Sequence, residues 1–226
     1  MRESTSPPRL PRGPGLVSLA AACLALLFGG LAVGVAMGGV MPLPYGPATA
    51  VHKYVRGEPE AIQVIAFSVF ASSVPLALYA ATASSRLRRL GAGGPGVMVA
   101  LAGGTLAAGA LALTASLGWT LSRPEVGTDT ALVSALYYLA FLLGGPGHVV
   151  ALGLLVAGMA MAGLPPGPLT KPAAGVGLVI AALAELTTLI LIWPALGVIL
   201  PIARVSALLW LVVAGAMIPA RHGGPG

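Results

Sequence analysis

Residues 173–218 read AAGVGLVIAALAELTTLILIWPALGVILPIARVSALLWLVVAGAMI, and this stretch decides the fold of the chain. It holds one acid, Glu185, and one base, Arg204, among residues that are otherwise apolar, small or uncharged. Trp193 and Pro194 divide it into two apolar runs, and about 20 apolar residues are enough for one helix to cross the hydrocarbon core of a bilayer. The stretch therefore predicts a transmembrane helical hairpin.

Four further stretches share this composition. The six predicted spans are residues 15–40, 61–84, 97–119, 130–163, 173–193 and 195–218. None sustains the alternation of apolar and polar residues that marks a membrane β-strand, and a long apolar run satisfies its backbone hydrogen bonds in lipid as a helix. Charged residues make up 8% of the 226 residues, against about 25% in a typical water-soluble domain. We therefore predict an all-α, polytopic transmembrane helix bundle.

The cations are unevenly distributed between the predicted loops. One side receives eight of the 12 Lys and Arg residues, in the tail 1–14, the loop after the second span, the loop before the fifth span and the tail 219–226. The other side receives Lys53, Arg56 and Arg123. Because Lys and Arg concentrate in cytoplasmic loops, we predict a bundle in the inner (cytoplasmic) membrane with both termini inside, and a disordered first tail. Cations placed beside membrane boundaries indicate lipid headgroups as partners and no nucleic acid.

Three glycines, Gly30, Gly34 and Gly38, recur every four residues in the first span. Such a ridge lets two helix backbones approach closely, and this packing replaces the hydrophobic driving force that is missing in lipid. The ridge either packs on another span of the same chain or mediates a homodimer. In the same span we expect Cys23 to be a buried thiol that packs as a small apolar side chain.

The fourth predicted span is too long for one straight crossing. Residues 130–163 would extend about 50 Å as a helix, against a hydrocarbon core of about 30 Å. A proline removes a backbone hydrogen bond, and neighbouring glycines weaken the helix further. The residues that predict a break are Gly144, Gly145, Pro146 and Gly147. The span is then either one long kinked helix or a segment, 131–143, that lies at the interface before a short crossing.

The hairpin carries the candidate polar site. Glu185 lies nine residues before Pro194 and Arg204 ten residues after it, so both are expected about 14 Å from the turn, near the midplane. An isolated ion there is costly and a pair offsets much of that cost, so we predict an ion pair. His148 reaches the same layer if the fourth span is one kinked helix. If Pro201 begins the sixth helix instead, Arg204 lies nearer the surface and the match in depth fails.

Two functional interpretations follow from this pair. In a structural or accessory membrane protein, it acts as a clamp that specifies how two helices pack. In a small transporter or an ion- or proton-coupled carrier, Glu185 binds a cation or proton and Arg204 tunes it. The sequence has no catalytic motif and no cluster with metal-ligand spacing, so no enzyme, metal or cofactor is predicted. It does not indicate a substrate.

Several short motifs lie between about residue 45 and residue 219. They are Ser73-Val74-Pro75-Leu76, Ala80-Ala81-Thr82 followed by Arg86-Leu87-Arg88, Leu121-Ser122-Arg123-Pro124-Glu125, the run from Phe141 to His148, Ala184-Glu185-Leu186, Leu200-Pro201-Ile202-Ala203-Arg204 and Leu209-Trp210-Leu211. Together they resemble a family of uncharacterised bacterial multi-pass membrane proteins, a domain of unknown function. The resemblance implies a polytopic inner-membrane protein and assigns no catalytic or binding residue.

Overall fold

The computed structural model describes residues 15–92, 94–164 and 167–219, and within these ranges the regular elements are helices. The predicted disordered tail at residues 1–14 lies outside the described residues. So does the predicted tail at 219–226, apart from Pro219.

Eight α-helices follow one another along the described chain. They are α1 (Leu16–Gly38), α2 (Ala48–Gly57), α3 (Pro59–Arg89), α4 (Pro95–Leu121), α5 (Thr130–Leu142), α6 (His148–Gly163), α7 (Lys171–Leu186) and α8 (Ile199–Met217). A π-helical segment, Leu143–Gly147, joins α5 to α6, and two 3-10 segments, Thr187–Leu191 and Pro194–Val198, join α7 to α8. Within the described ranges, six helical runs are long and apolar enough to cross a membrane. The predicted six-span helix bundle is confirmed.

The six spanning runs form a closed ring in chain order. Helix α1 packs on α3, α3 on α4, α4 on α6, α6 on α7, α7 on α8, and α8 back on α1. The main core lies inside this ring and draws residues from all of these helices. Cys23 is buried in it, as predicted. Large apolar side chains such as Phe67 and Val179 point outward, as expected of a surface that faces lipid rather than water.

The glycine ridge of α1 faces α3. A Cβ built at Gly30 would overlap the side chain of Ser68, and one at Gly34 would overlap Ile65. Gly38 makes a similar approach to the start of α3. The close packing that these glycines permit is therefore made inside the chain, and a homodimer through this ridge would require α3 to leave.

A second close contact, between α4 and α6, was not predicted. A Cβ at Gly158 would overlap the backbone nitrogen of Ala100 and lie 2.5 Å from the carbonyl oxygen of Gly96. From the other side, a Cβ at Gly103 would lie 2.5 Å from the backbone nitrogen of Leu155. The two helices are thus in backbone contact, an arrangement that only residues without a side chain allow.

Two hydrogen bonds, one buried and one partly buried, join α8 to its neighbours. The hydroxyl of Tyr79 on α3 donates to the carbonyl oxygen of Leu211 at 2.6 Å. The indole N–H of Trp210 donates to the carbonyl oxygen of Ala173 on α7 at 2.9 Å. A buried hydroxyl or indole N–H without a partner is costly, so these contacts specify how α8 sits against both neighbours.

The α7–α8 hairpin turns at one end of the bundle, here called the tip end. The connection between α1 and α3 lies at the same end, because its segment between Met41 and Pro44 lines one cavity together with the start of α8. The hydroxyl of Tyr137 on α5 also donates to the carbonyl oxygen of Pro42, at 2.6 Å. Helix α2 buries Val51 and Val55 in a small cluster with Tyr137. These contacts cover one side of the tip end with a short amphipathic helix and an extended segment.

Candidate functional site

The predicted break in the fourth span is confirmed. The segment Leu143–Gly147 has π-helical hydrogen bonding, and Gly145 has non-helical dihedral angles, φ −87° and ψ −105°. Pro146 has no backbone N–H to donate. Helices α5 and α6 continue each other across this segment as one kinked helical run.

The break frees a carbonyl group that Arg204 uses. In a regular α-helix the carbonyl of Gly144 would accept from the N–H of His148, but here that N–H donates to the carbonyls of Leu143 and Gly145. The guanidinium Nη2 of Arg204, in the second turn of α8, donates to the carbonyl oxygen of Gly144 instead. The carbonyl that the break leaves free therefore accepts a hydrogen bond from the arginine, and one N–H of the arginine gains an acceptor.

The predicted ion pair between Glu185 and Arg204 is not formed, and that prediction is wrong. Arg204 is partly buried and donates to Gly144, whereas Glu185 is exposed on the flank of α7. Glu185 points towards α6, with Oε1 3.5 Å from the position that a Cβ on Gly153 would take. The cavity that Arg204 lines, described below, does not include Glu185.

Two local features account for this difference. Helix α8 begins at Ile199, so Pro201 lies in its first turn. A sixth helix that begins near Pro201 is the alternative in which Arg204 does not lie at the depth of Glu185. On α7 the residues that pack inward are Gly177, Ala181 and Ala184. Glu185 lies beside this stripe rather than on it, and its carboxylate points towards Gly153 on α6.

His148 lies at the break, as predicted, but not in contact with Glu185. Its side chain is 0% exposed, and Nδ1 lies 3.0 Å from the carbonyl oxygen of Ala107 on α4. This contact requires a proton on Nδ1, and in the neutral ring Nε2 is then an acceptor. Among the described residues, the buried Nε2 has no hydrogen-bond partner. The Nε of Arg204 is also buried, and no described residue offers it a hydrogen-bond partner. The structure thus brings His148 and Arg204 to one break and leaves Glu185 outside this cluster.

Arg204 lines a cavity of about 350 Å³ at the tip end of the bundle. The walls come from α3, α4, α5, the break and the start of α8, and the segment between Met41 and Pro44 completes the lining. Arg204 is the one charged side chain among the described lining residues. The hydroxyls of Thr114 and Tyr137 also lie in the wall, and both donate to backbone carbonyls. The guanidinium is therefore the main polar feature of an apolar cavity.

Sequence reasoning identified Arg204 and the break residues Gly144 and Gly145, and missed the rest of this cavity. Apart from Thr114 and Tyr137, the remaining lining residues are apolar or small, and they come from five helical elements and the segment between Met41 and Pro44. Such residues occur in every span, and no pattern marks the ones that surround a cavity. The proline run after the first span was the one available signal, because it keeps that segment extended across the tip end.

These features define an all-helical membrane protein with six spans and an arginine-lined cavity. Comparison of the chain with protein-family models, curated proteins and solved structures finds no match. The resemblance to a bacterial multi-pass family therefore stays a prediction. Among the described residues no three His, Cys, Asp or Glu side chains gather closely enough to hold a metal ion. That no enzyme, cofactor or metal is involved also stays a prediction.

Proposed function

We propose that this protein is a small carrier that binds a lipophilic anion. The apolar cavity holds the hydrocarbon part of the ligand, and Arg204 holds its charged group. The observation that carries this proposal is a guanidinium that has no carboxylate partner among the described residues and that lies in the wall of an otherwise apolar cavity of about 350 Å³. Ligand pockets of roughly 300–1,000 Å³ are typically apolar, with a few polar groups that orient the ligand.

The charge of Arg204 supports an anionic ligand. An arginine side chain stays protonated in proteins, and a buried cation is costly unless a counter-charge is close. The carbonyl of Gly144 satisfies one N–H but supplies no negative charge. A ligand carboxylate would supply the charge and accept two parallel hydrogen bonds from one edge of the guanidinium.

The broken fourth span supports a carrier. Secondary transporters commonly place their binding sites beside discontinuous helices, where backbone groups are free to interact. Here the break lies directly beside Arg204. If both termini are inside, as the loop charges predict, the cavity opens towards the outer half of an inner membrane.

The test uses decanoate as the probe ligand. At about 30 Å³ for each water-sized group, the cavity holds about 12 such groups, which suits a ten-carbon carboxylate. The protein is reconstituted in lipid nanodiscs, and binding is measured by titration calorimetry against empty nanodiscs. Decanol serves as the uncharged control ligand. We expect decanoate to bind and decanol to bind much more weakly.

Substitutions of Arg204 measure how much the charged contact contributes to binding, apart from the apolar cavity. Loss of a charge-assisted hydrogen bond costs about 1.5–3 kcal/mol, so Arg204→Gln should weaken decanoate binding by about 10- to 150-fold. Arg204→Lys keeps the charge and should weaken it less. Glu185→Gln, outside the cavity, is the matched control and should change nothing. Equal binding of decanoate and decanol, or decanoate binding that survives Arg204→Gln, would contradict the proposal.

A structural or accessory role is the second candidate. The exposed position of Glu185 on a spanning helix favours it, because a partner protein is the natural source of a counter-charge at that position.

A further inference from the structure

Glu185 is an exposed carboxylate in the middle of a membrane span. It lies 14 residues after Lys171 and eight residues before Trp193, both of which are exposed. Lys and Trp side chains favour the two membrane interfaces, and 14 helical residues extend about 21 Å. The carboxylate is therefore expected well inside the hydrocarbon region. Ionisable residues at such depth usually face the interior of a bundle, and Glu185 does not.

An apolar groove of about 510 Å³ runs beside Glu185. Its walls come from α4, the break, α6 and the 3-10 segment after α7. Thr188, one turn after Glu185, lines the groove. The carboxylate Oε1 lies 3.5 Å from the position that a Cβ on Gly153 would take, next to the lining residue Leu154. Gly109 also lines it, and a Cβ built there meets nothing within 4 Å. The floor of the groove thus includes bare backbone, the surface on which a second helix packs closely.

A second copy of this chain does not offer the charge that Glu185 lacks. Among the residues that the structure describes, Arg204 is the one Lys or Arg that lies more than one turn from either end of a spanning helix. Its guanidinium donates to Gly144 and lines the cavity at the tip end. A counter-charge at the depth of Glu185 must therefore come from a different protein.

We propose that Glu185 and the adjacent groove form a docking site for a transmembrane helix of another protein, and that this helix carries a Lys or Arg near its midpoint. The groove packs against the helix, and the carboxylate pairs with its cation in the low-dielectric interior, where such a pair is strong. This site shares no residue with the cavity that Arg204 lines, so the proposal is independent of ligand binding there.

The test uses a synthetic transmembrane peptide of Leu and Ala with one central Lys, and a matched peptide with Leu at that position. The full-length protein, labelled with a fluorescence donor, is reconstituted in phosphatidylcholine vesicles, and energy transfer to labelled peptide is measured. We expect the Lys peptide to bind the wild type at least tenfold more tightly than the Leu peptide. Glu185→Gln should abolish this preference, and Glu185→Asp should keep part of it.

Two further variants separate the groove from the charge. Gly109→Leu adds a side chain to the groove at a position where a Cβ meets no atom within 4 Å. It should weaken binding of both peptides while the melting temperature is kept. Glu125→Gln, on a loop, is the matched charge control and should have no effect. Equal affinity for the two peptides, or an unchanged preference in Glu185→Gln, would overturn the proposal. A further outcome would also overturn the proposal. If two copies of the wild type show energy transfer and Glu185→Gln removes it, a second copy occupies the groove.

Discussion

Replacing Gly158 with alanine is expected to loosen the contact between α4 and α6. A Cβ at this position would overlap the backbone nitrogen of Ala100 and lie 2.7 Å from its Cα, and it would lie 2.5 Å from the carbonyl oxygen of Gly96. All of these atoms belong to the backbone of α4. No side-chain rotation relieves the overlap, so the two helices must move apart.

The expected magnitude is the difference between two opposing effects. Alanine stabilises a helix interior by about 1 kcal/mol relative to glycine, and overpacking costs about 1–3 kcal/mol. Gly158→Ala should therefore lower the free energy of unfolding by up to about 2 kcal/mol. At Gly175 on α7 a Cβ would meet nothing within 4 Å, so Gly175→Ala experiences only the favourable effect. The difference between the variants isolates the overpacking cost, about 1–3 kcal/mol.

Unfolding of both purified variants is measured in one detergent, by the helical circular dichroism signal against added sodium dodecyl sulfate. We expect the midpoint of Gly158→Ala to lie below wild type and that of Gly175→Ala to lie at or above it. Gly103→Ala provides a second site in the same contact, where a Cβ would lie 2.8 Å from the carbonyl oxygen of Ala151, and should behave like Gly158→Ala. If Gly158→Ala is as stable as Gly175→Ala, the backbone contact between α4 and α6 is refuted.

Three further outcomes are expected. Asp129→Ala removes the side chain that accepts two backbone N–H groups in the first turn of α5, and should lower the free energy of unfolding by about 1 kcal/mol. Asp129→Asn keeps the cap and should match wild type in the same unfolding assay. Tyr79→Phe removes the hydrogen bond to Leu211 and should cost about 0.6 kcal/mol, at most about 1.7; no loss at all would show that this bond contributes nothing. Alkaline phosphatase, active only outside the inner membrane, should be inactive when fused after residue 226 and active when inserted before α2; the reverse would invert the predicted orientation.

The spans were predictable because hydrophobic length is a local property of the chain. The predicted fourth span, 130–163, coincides with the observed helical run, and the first, 15–40, differs from Leu16–Gly38 by at most two residues at either end. The second span was predicted to end at residue 84, but α3 continues to Arg89. Three arginines in its last turn favour the negative end of the helix dipole. Hydropathy indicates where the chain leaves the hydrocarbon region, and α3 continues beyond that point.

The ion pair was not predictable in the same way, because counting residues gives depth along a helix and not direction around it. Viewed down the axis of α7, Glu185 has a small residue on either side: Ala184, which is buried, and Ala182, which is exposed. Either of them could have marked the packed face of α7. Helical spacing puts Glu185 on one face with Ala181 and Ala182, whereas the face that packs runs through Ala181 and Ala184. Adjacent residues of an α-helix point in directions about 100° apart around its axis. An error of one residue position in the packed face is therefore enough to predict a buried carboxylate where the structure has an exposed one.

The hydrogen-bond partner of Arg204 lies at the helix break, which the sequence predicted but did not connect to Arg204. The sequence predicted a break at Pro146, and a break in a membrane helix necessarily frees carbonyl groups that need donors. An arginine offers five N–H groups and no acceptor, so a freed carbonyl competes directly with a carboxylate as its neighbour. In this chain the carbonyl of Gly144 takes that position. A deep arginine in a span is therefore best matched first with the helix breaks of the chain, and only then with its acids.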